Sequence, residues 1–181
     1  MKKLLVLTTL VLSLTVHADD TQQYLEKAKQ LEQLIEQNHR TFEKQQQCLA
    51  KALYFEAGDN DTSRTGVANV IVNRVVADYY PNTICGVVHE KTQNARTKKK
   101  SCQFSFLCEA PKTIYKSSNK WENADDTARV VLAEFVDQSR NDITKGATHF
   151  HDKRVFPSWA KSNKFIRTMK ATQLTFYRPK K

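Results

Sequence analysis

Residues 20–47 divide this chain. They are rich in Gln, Glu and Lys and contain neither Gly nor Pro, so nothing in them breaks a helix. Tyr24, Ala28, Leu31, Ile35, Asn38, Phe42, Gln45, Leu49 and Ala52 succeed one another in alternating steps of four and three. That is the period of a heptad-like helical stripe, although Asn38 and Gln45 place polar groups in its seam. The expectation is a helical arm over residues 19–47 that packs on the remaining chain or self-associates. The remainder, residues 48–181, suffices for one hydrophobic core and not two, and no internal repeat divides it.

Before the arm, Met1-Lys2-Lys3 is a short basic start and Leu4 to Val16 is an almost unbroken apolar run. Val16-His17-Ala18 supplies small residues for a peptidase, and Asp19-Asp20 comes directly after. This pattern predicts a cleaved secretory signal over residues 1–18, too short and wrongly flanked for a membrane span. The mature chain is then expected in the periplasm with no stable membrane insertion. Its formal charge falls from +10 to +8, because Lys2 and Lys3 leave with the signal. A basic exported protein suggests an acidic envelope partner such as peptidoglycan. The basic run Arg96 to Lys100 has no interleaved aromatics; it reads as a solvated loop, and no nucleic-acid partner is expected.

Cys48, Cys85, Cys102 and Cys108 all fall in the exported part, which fits an oxidising compartment. Four cysteines allow three pairings. The short Cys102–Cys108 spacing could close a small loop, which would leave Cys48 to join Cys85. A zinc site is the rival, but no Cys-x-x-Cys pair is present, so disulfides are the stronger expectation.

From Cys48 the chain reads as a globular domain. A helix over Cys48 to Phe55 should stop at Gly58. Asp61, Thr62 and Ser63 are candidate caps for a second helix, whose Val67, Val70, Ile71 and Val75 keep helical spacing. Residues 91–120 look loop-rich, with Pro111 among them. A third helix is expected from about Asn123 to Asp137, burying Ala124, Ala128, Val131, Leu132 and Phe135. Ala147 to Phe150 and Leu174 to Tyr177 alternate like short strands.

Glu56 is the residue with the most chemistry to offer. It falls at the last turn of the first helix, four residues after Ala52 on the same stripe, behind Tyr54 and Phe55. Apolar neighbours and the negative end of a helix both favour the protonated carboxyl. A carboxylic acid that stays protonated near neutral pH is what glycosidic cleavage needs, because the leaving oxygen takes a proton as its bond breaks.

Several blocks then share one resemblance. They are Leu53 to Gly58, Val67 to Val75, Pro81 to Val88, Cys102 to Ser105, Gly146 to His151 with Pro157 to Ala160, and the closing Phe176-Tyr177. In order and spacing they resemble the catalytic domain of the SleB/CwlJ cell-wall hydrolase family, over residues 49–177 but not over the arm. The resemblance implies an α+β, mainly helical fold: a lysozyme-like, lytic-transglycosylase-like domain with a small β-sheet, preceded here by the arm. It implies cleavage of peptidoglycan between N-acetylmuramic acid and N-acetylglucosamine, without a cofactor. The family's catalytic glutamate opens a Glu-Ala-Arg-Gly-Glu block, and Glu56 holds that place. This chain reads Glu56-Ala57-Gly58-Asp59; the arginine is missing, and Asp59 replaces the second glutamate, with a turn or capping role expected.

One carboxyl suffices for a transglycosylase. A hydrolase needs a second one at about 5–5.5 Å, or about 6.5–9.5 Å for inversion, and Asp59, Asp78, Glu109, Asp142 and Asp152 are candidates with none marked out. Candidates for the glycan groove are Asn73, Gln103, Phe104, Ser105, Thr148, His149, His151, Trp159 and Tyr177, while Arg74 suggests a structural ion pair. Two histidines flanking Phe150 share one strand face and, with His89 or a carboxylate, offer a rival reading as a zinc amidase. No His-Glu-x-x-His pattern supports it, and no metal is expected. A non-catalytic peptidoglycan-binding protein is the third reading, because the altered block around Glu56 could hold glycan without cutting it.

Overall fold

In the computed structural model, residues 2–93, 98, 100–110 and 112–180 are described, residues 2–20 by their backbone alone. Of the basic run only Lys98 and Lys100 lie among them, and Pro111 lies outside. The chain forms two compact units, Met1–Phe42 and Glu43–Lys181, and α1 (Lys2–Glu56) contributes to both. Among the described residues no helix is long and apolar enough to cross a membrane.

In the first unit the helix exposes its apolar residues: Tyr24, Leu25, Leu31, Leu34 and Ile35 all face solvent. Glu36 and Arg40 pair one turn apart at 2.9 Å, an exposed contact worth a few tenths of a kcal/mol, roughly 0.3.

The second unit begins ahead of Cys48 because a polar segment already has partners there. Gln45 accepts a hydrogen bond from the Cys85 amide at 2.9 Å, and Gln46 donates to Asp125 at 3.0 Å. Cys48 is bonded to Cys85, which ties α1 to α3 (Ile84–Val88). Closing a loop of 37 residues in sequence stabilises the fold by about 4 kcal/mol in the chain-entropy account. Leu49, Ala50, Ala52, Leu53 and Tyr54 are buried, and α1 ends before Gly58, whose φ of +63° suits glycine.

The centre of this unit is α2 (Asp61–Val75), in which 11 of 15 residues are buried. It is therefore not the one-sided helix that Val67, Val70 and Ile71 suggest, but one covered on all sides. α3, α4 (Asn119–Val136) and the sheet pack against it. Its cap is Asn60, not Asp61, Thr62 or Ser63. Asn60 has extended backbone, and its side chain accepts from the Ser63 amide at 2.9 Å; Asp61 bonds Arg64 instead. Asp59 stays exposed in the preceding turn. α4 starts earlier than its periodicity suggests, capped by Ser118, and buries Trp121, Ala124, Ala128, Val131 and Leu132; Phe135 is only half-buried.

Two small antiparallel sheets complete the unit. β1 (Lys91–Gln93) pairs with β2 (Lys100–Cys102). In the other, β5 (Leu174–Pro179) lies between β3 (His149–Asp152) and β4 (Phe165–Lys170), with Phe150 opposite Phe176 and His149 opposite Tyr177. β3 starts two residues later than the alternation predicts. The carbonyls of Ala147 and Thr148 are taken by the side chains of Asn73 (2.9 Å) and Arg74 (2.8 Å) rather than by a strand.

Asn73 is the polar anchor of this region. Its amide donates to Asp142 at 3.0 Å, to Thr144 at 3.3 Å and to the Ala147 carbonyl. Its oxygen accepts from Arg140 at 2.9 Å. With every hydrogen-bonding group engaged inside the protein, Asn73 fastens residues 140–147 to α2; it is not free to hold a sugar N-acetyl group, as its place on the helix suggests.

Two stability changes are expected. Asn73→Ala leaves buried partners unsatisfied and should lower the unfolding free energy by about 2–3 kcal/mol, read by urea titration. Gly66→Ala normally gains up to about 1 kcal/mol in a helix. Here the new Cβ would lie 2.6 Å from the buried Phe176 ring, so overpacking wins and the variant should lose about 1–3 kcal/mol. A raised melting temperature for Gly66→Ala would refute this packing argument.

Candidate active site

Glu56 is the last residue of α1 and lines a cleft of about 460 Å³. Its carboxyl is raised above the ordinary range, first by burial and then by the Glu109 carboxylate; Lys112 and Arg74 pull it part of the way back. Burial thus does what the apolar neighbours in the sequence suggest. The preceding Phe55 stacks on Phe106 at 4.6 Å, and Tyr54 meets Phe55 edge-on at 5.1 Å and Trp121 at 6.0 Å. The acid therefore stands on a rigid aromatic support.

A second wall is the segment between two bonded cysteines. Cys102–Cys108 brackets the 3-10 turn Ser105–Leu107, and the Gln103 amide donates to the Glu90 carbonyl at 3.0 Å. Gln103, Phe104 and Ser105 all line the cleft. Phe104 also sits in the core, only 1% exposed, so its ring is structural as much as it is cleft surface.

The third wall comes from β3. His149, Phe150, His151 and Asp152 line the cleft with Trp159, which is held in the 3-10 turn Ser158–Lys161. The Trp159 ring lies 5.2 Å from His149, 5.8 Å from His151 and 5.4 Å from Tyr177. His149 is pushed down to about 4, by burial first and by Arg74 second, so it is neutral at physiological pH. His151 Nδ1 lies 2.9 Å from the Asp152 carbonyl. A carbonyl only accepts, so that nitrogen carries a proton, and Nε2 meets the Tyr177 hydroxyl at 3.1 Å.

Arg74 forms the base of the cleft, where its place in the sequence suggests only an ion pair. It is 5% exposed; Nε donates to the Thr148 carbonyl, and the guanidinium lies 5.3 Å from the Tyr80 ring and 5.6 Å from that of Phe104. Its Nη1 is buried without a protein partner. Nothing in the sequence tells this arginine from a surface one, because helical spacing shows no direction on a helix buried all round.

Other sequence candidates lie elsewhere. Thr148 is buried beside the cleft, bonded to His149 at 2.9 Å, and Tyr177 lies behind His151 as support. Asn73 faces a different cleft. Of the candidate second carboxylates only Asp152 lines the Glu56 cleft. Arg154 grips both of its oxygens, at 2.9 and 2.8 Å, and holds it down at about 2. Glu109 acts on Glu56 through charge while pairing with Lys112. Asp142 is held by Thr144, Gly146 and Asn73. Among the described residues no three His, Cys, Asp or Glu side chains gather as a metal site.

The sequence pattern of the cell wall hydrolase family matches residues 58–177, opening two residues after Glu56. No curated protein matches. Among solved structures, the catalytic domain of the Bacillus cereus SleB protein is 20% identical, with a TM-score of 0.52 over 75% of this chain and 91% of that one. The catalytic domain of the germination-specific lytic transglycosylase SleB from Bacillus anthracis is 23% identical, with a TM-score of 0.52 over 74% of this chain and 93% of that one. At such identities the likeness is one of fold, mainly helical α+β with small sheets. The family match extends over well more than half of the sequence, and the chain belongs to the cell wall hydrolase family.

Proposed function

We propose that this cell wall hydrolase cleaves the glycosidic bond between N-acetylmuramic acid and N-acetylglucosamine as a lytic transglycosylase, with Glu56 as both acid and base. The observation that carries the reading is the raised, cleft-lining carboxyl of Glu56. In its protonated form Glu56 donates to the glycosidic oxygen as the bond to the muramyl anomeric carbon breaks. The resulting carboxylate then takes the proton of the muramyl 6-hydroxyl, whose oxygen attacks that carbon. A 1,6-anhydro end forms, Glu56 is protonated again, and no water is consumed.

Trp159 and the rings around it offer a stacking face for sugar, and Gln103 and Ser105 offer polar groups on the opposite wall. The unpaired Nη1 of Arg74 is a donor for substrate oxygen. Export to the periplasm belongs to the same reading, supported by the signal-like residues 1–18 and by both cysteine pairs being bonded.

Hydrolysis is the second reading, because Asp152 lines the same cleft. An acid held at about 2 by Arg154 is a weak base toward water, and this favours transglycosylation. Mass spectrometry of digested sacculi separates the two. Anhydromuropeptides that vanish in Glu56→Gln are expected; reducing muramyl ends would establish hydrolysis, free stem peptides an amidase, and activity retained in Glu56→Gln would remove the acid from the scheme.

The pH dependence has a definite sign. Glu56 must start protonated, so activity falls as pH rises through its raised value. Glu109→Gln removes a neighbour that raises it, and the alkaline limb of the kcat/KM profile should move to lower pH. A limb that stays in place would exclude Glu56 as the group titrating there. Stability obeys the same linkage. A carboxyl whose folded value is raised stabilises the fold below its unfolded value of about 4.3, and loses that contribution as pH rises through the folded value. Neutral Glu56→Gln should therefore melt higher than the parent chain at pH 7, measured by calorimetry.

A further inference from the structure

A second cleft, of about 1070 Å³, lies beside the first. The two share one wall. Arg74 and His149 face the Glu56 cleft, while their chain neighbours Asn73 and Thr148 face the other. We propose that this second cleft holds the stem peptides of peptidoglycan through their free carboxylates, next to the bond being cut; the inference rests on the reading of peptidoglycan as substrate.

Charge carries the argument. Lys145, Arg167, Arg178 and Lys180 line the cleft, and no Asp or Glu does. Elsewhere, Arg40, Arg129, Arg154 and Lys112 each have a carboxylate partner, while others such as Lys51 and Lys170 stand singly among the described residues. What sets the four cleft cations apart is that they gather in one concavity that no carboxylate lines. Among the described residues, none of the four has a carboxylate partner. Gathering unneutralised cations around a concavity opposes folding and creates a positive potential focused by its walls. Neutral sugars give no use for it. The carboxylates of a peptide stem do.

The rest of the lining fits the same ligand. Val76, Tyr79, Ile166 and Pro179 add an apolar surface suited to the alanine methyl groups that separate the carboxylates of a stem. Lys145 is placed there by a built turn. It is a non-glycine residue at φ +54°, with Gly146 next at +81°, and Asp142 holds the turn by accepting from the amides of Thr144 at 2.8 Å and Gly146 at 2.7 Å. An L-residue in this region costs about 1–2 kcal/mol, which the hydrogen bonds to Asp142 offset. A membrane surface cannot enter a concave site. A single strand of nucleic acid would look for several stacking rings, whereas Tyr79 is the one aromatic residue lining this cleft.

The test uses the full mature chain and an Arg167→Gln/Arg178→Gln double variant. On intact sacculi the variant should lose about tenfold in kcat/KM, chiefly through KM. On glycan strands stripped of stems by an amidase, the loss should shrink to less than twofold. Equal losses on both substrates, or none on intact sacculi, would overturn the proposal. A direct readout needs no cleavage: in a Glu56→Gln background, free stem tetrapeptide should bind by calorimetry, and at least fivefold more weakly when Arg167 and Arg178 are also replaced. Tetrapeptide binding persists if the Glu56 mechanism fails, so the two failures are distinguishable. No tetrapeptide binding, or tighter binding of a single-stranded oligonucleotide than of the tetrapeptide, would assign the cleft to another ligand.

Discussion

Because α2 is covered on every side, its polar side chains must look for partners within the fold, and Ser63 Oγ, two Arg64 nitrogens and Arg74 Nη1 find none there. Asn73 meets this demand by drawing in residues 140–147 through Arg140, Asp142, Thr144 and Ala147. Arg74 meets it in part, with the Thr148 carbonyl and the rings of Tyr80 and Phe104. The start of β3, the support of the Cys102–Cys108 segment and the wall between two clefts thus depend on two consecutive residues. A purely apolar helix would pack as well and position nothing.

Charge around Glu56 is balanced rather than simply suppressed. Burial and Glu109 favour the neutral carboxyl, while Arg74 and Lys112 favour the ionised one. The role proposed for Glu56, acid and then base within one turnover, needs both states within reach, and a site dominated by either influence would hold it in one of them. With His149 neutral, Arg74 is the buried cation that lines the cleft with Glu56. His151 is held between the Asp152 carbonyl and the Tyr177 hydroxyl, with the Trp159 ring 5.8 Å away.

Sequence reasoning reaches as far as local physics decides. The place of Glu56 at a helix end among aromatic rings is legible from its neighbours, while the chemistry expected of it comes from the family resemblance. The helices α2 and α4 are legible from their spacing, and the antiparallel strands near Phe150 and Phe176 from their alternation. α3 is five residues long and shows no period. β4 hides because a bulge between Arg167 and Met169 breaks its alternation. β1 is exposed along its whole length and β2 over most of it, so neither carries a hydrophobic signal. At the start of α2 four successive residues could each cap, and only backbone angles choose Asn60. Spacing suggests an ion pair for Arg74, whereas the structure places it in the lining of the Glu56 cleft and Asn73 in that of the other. Adjacent positions on a helix point about 100° apart, and on a buried helix the sequence does not say which direction holds the cleft.

The segment that presents Gln103, Phe104 and Ser105 is closed by a covalent bond between Cys102 and Cys108. A bond made by oxidation imposes an order of events. Where thiols are kept reduced the loop stays open, and one wall of the cleft is unfinished. For the exported enzyme proposed above, synthesis and completion of this wall of the cleft then fall in different redox environments.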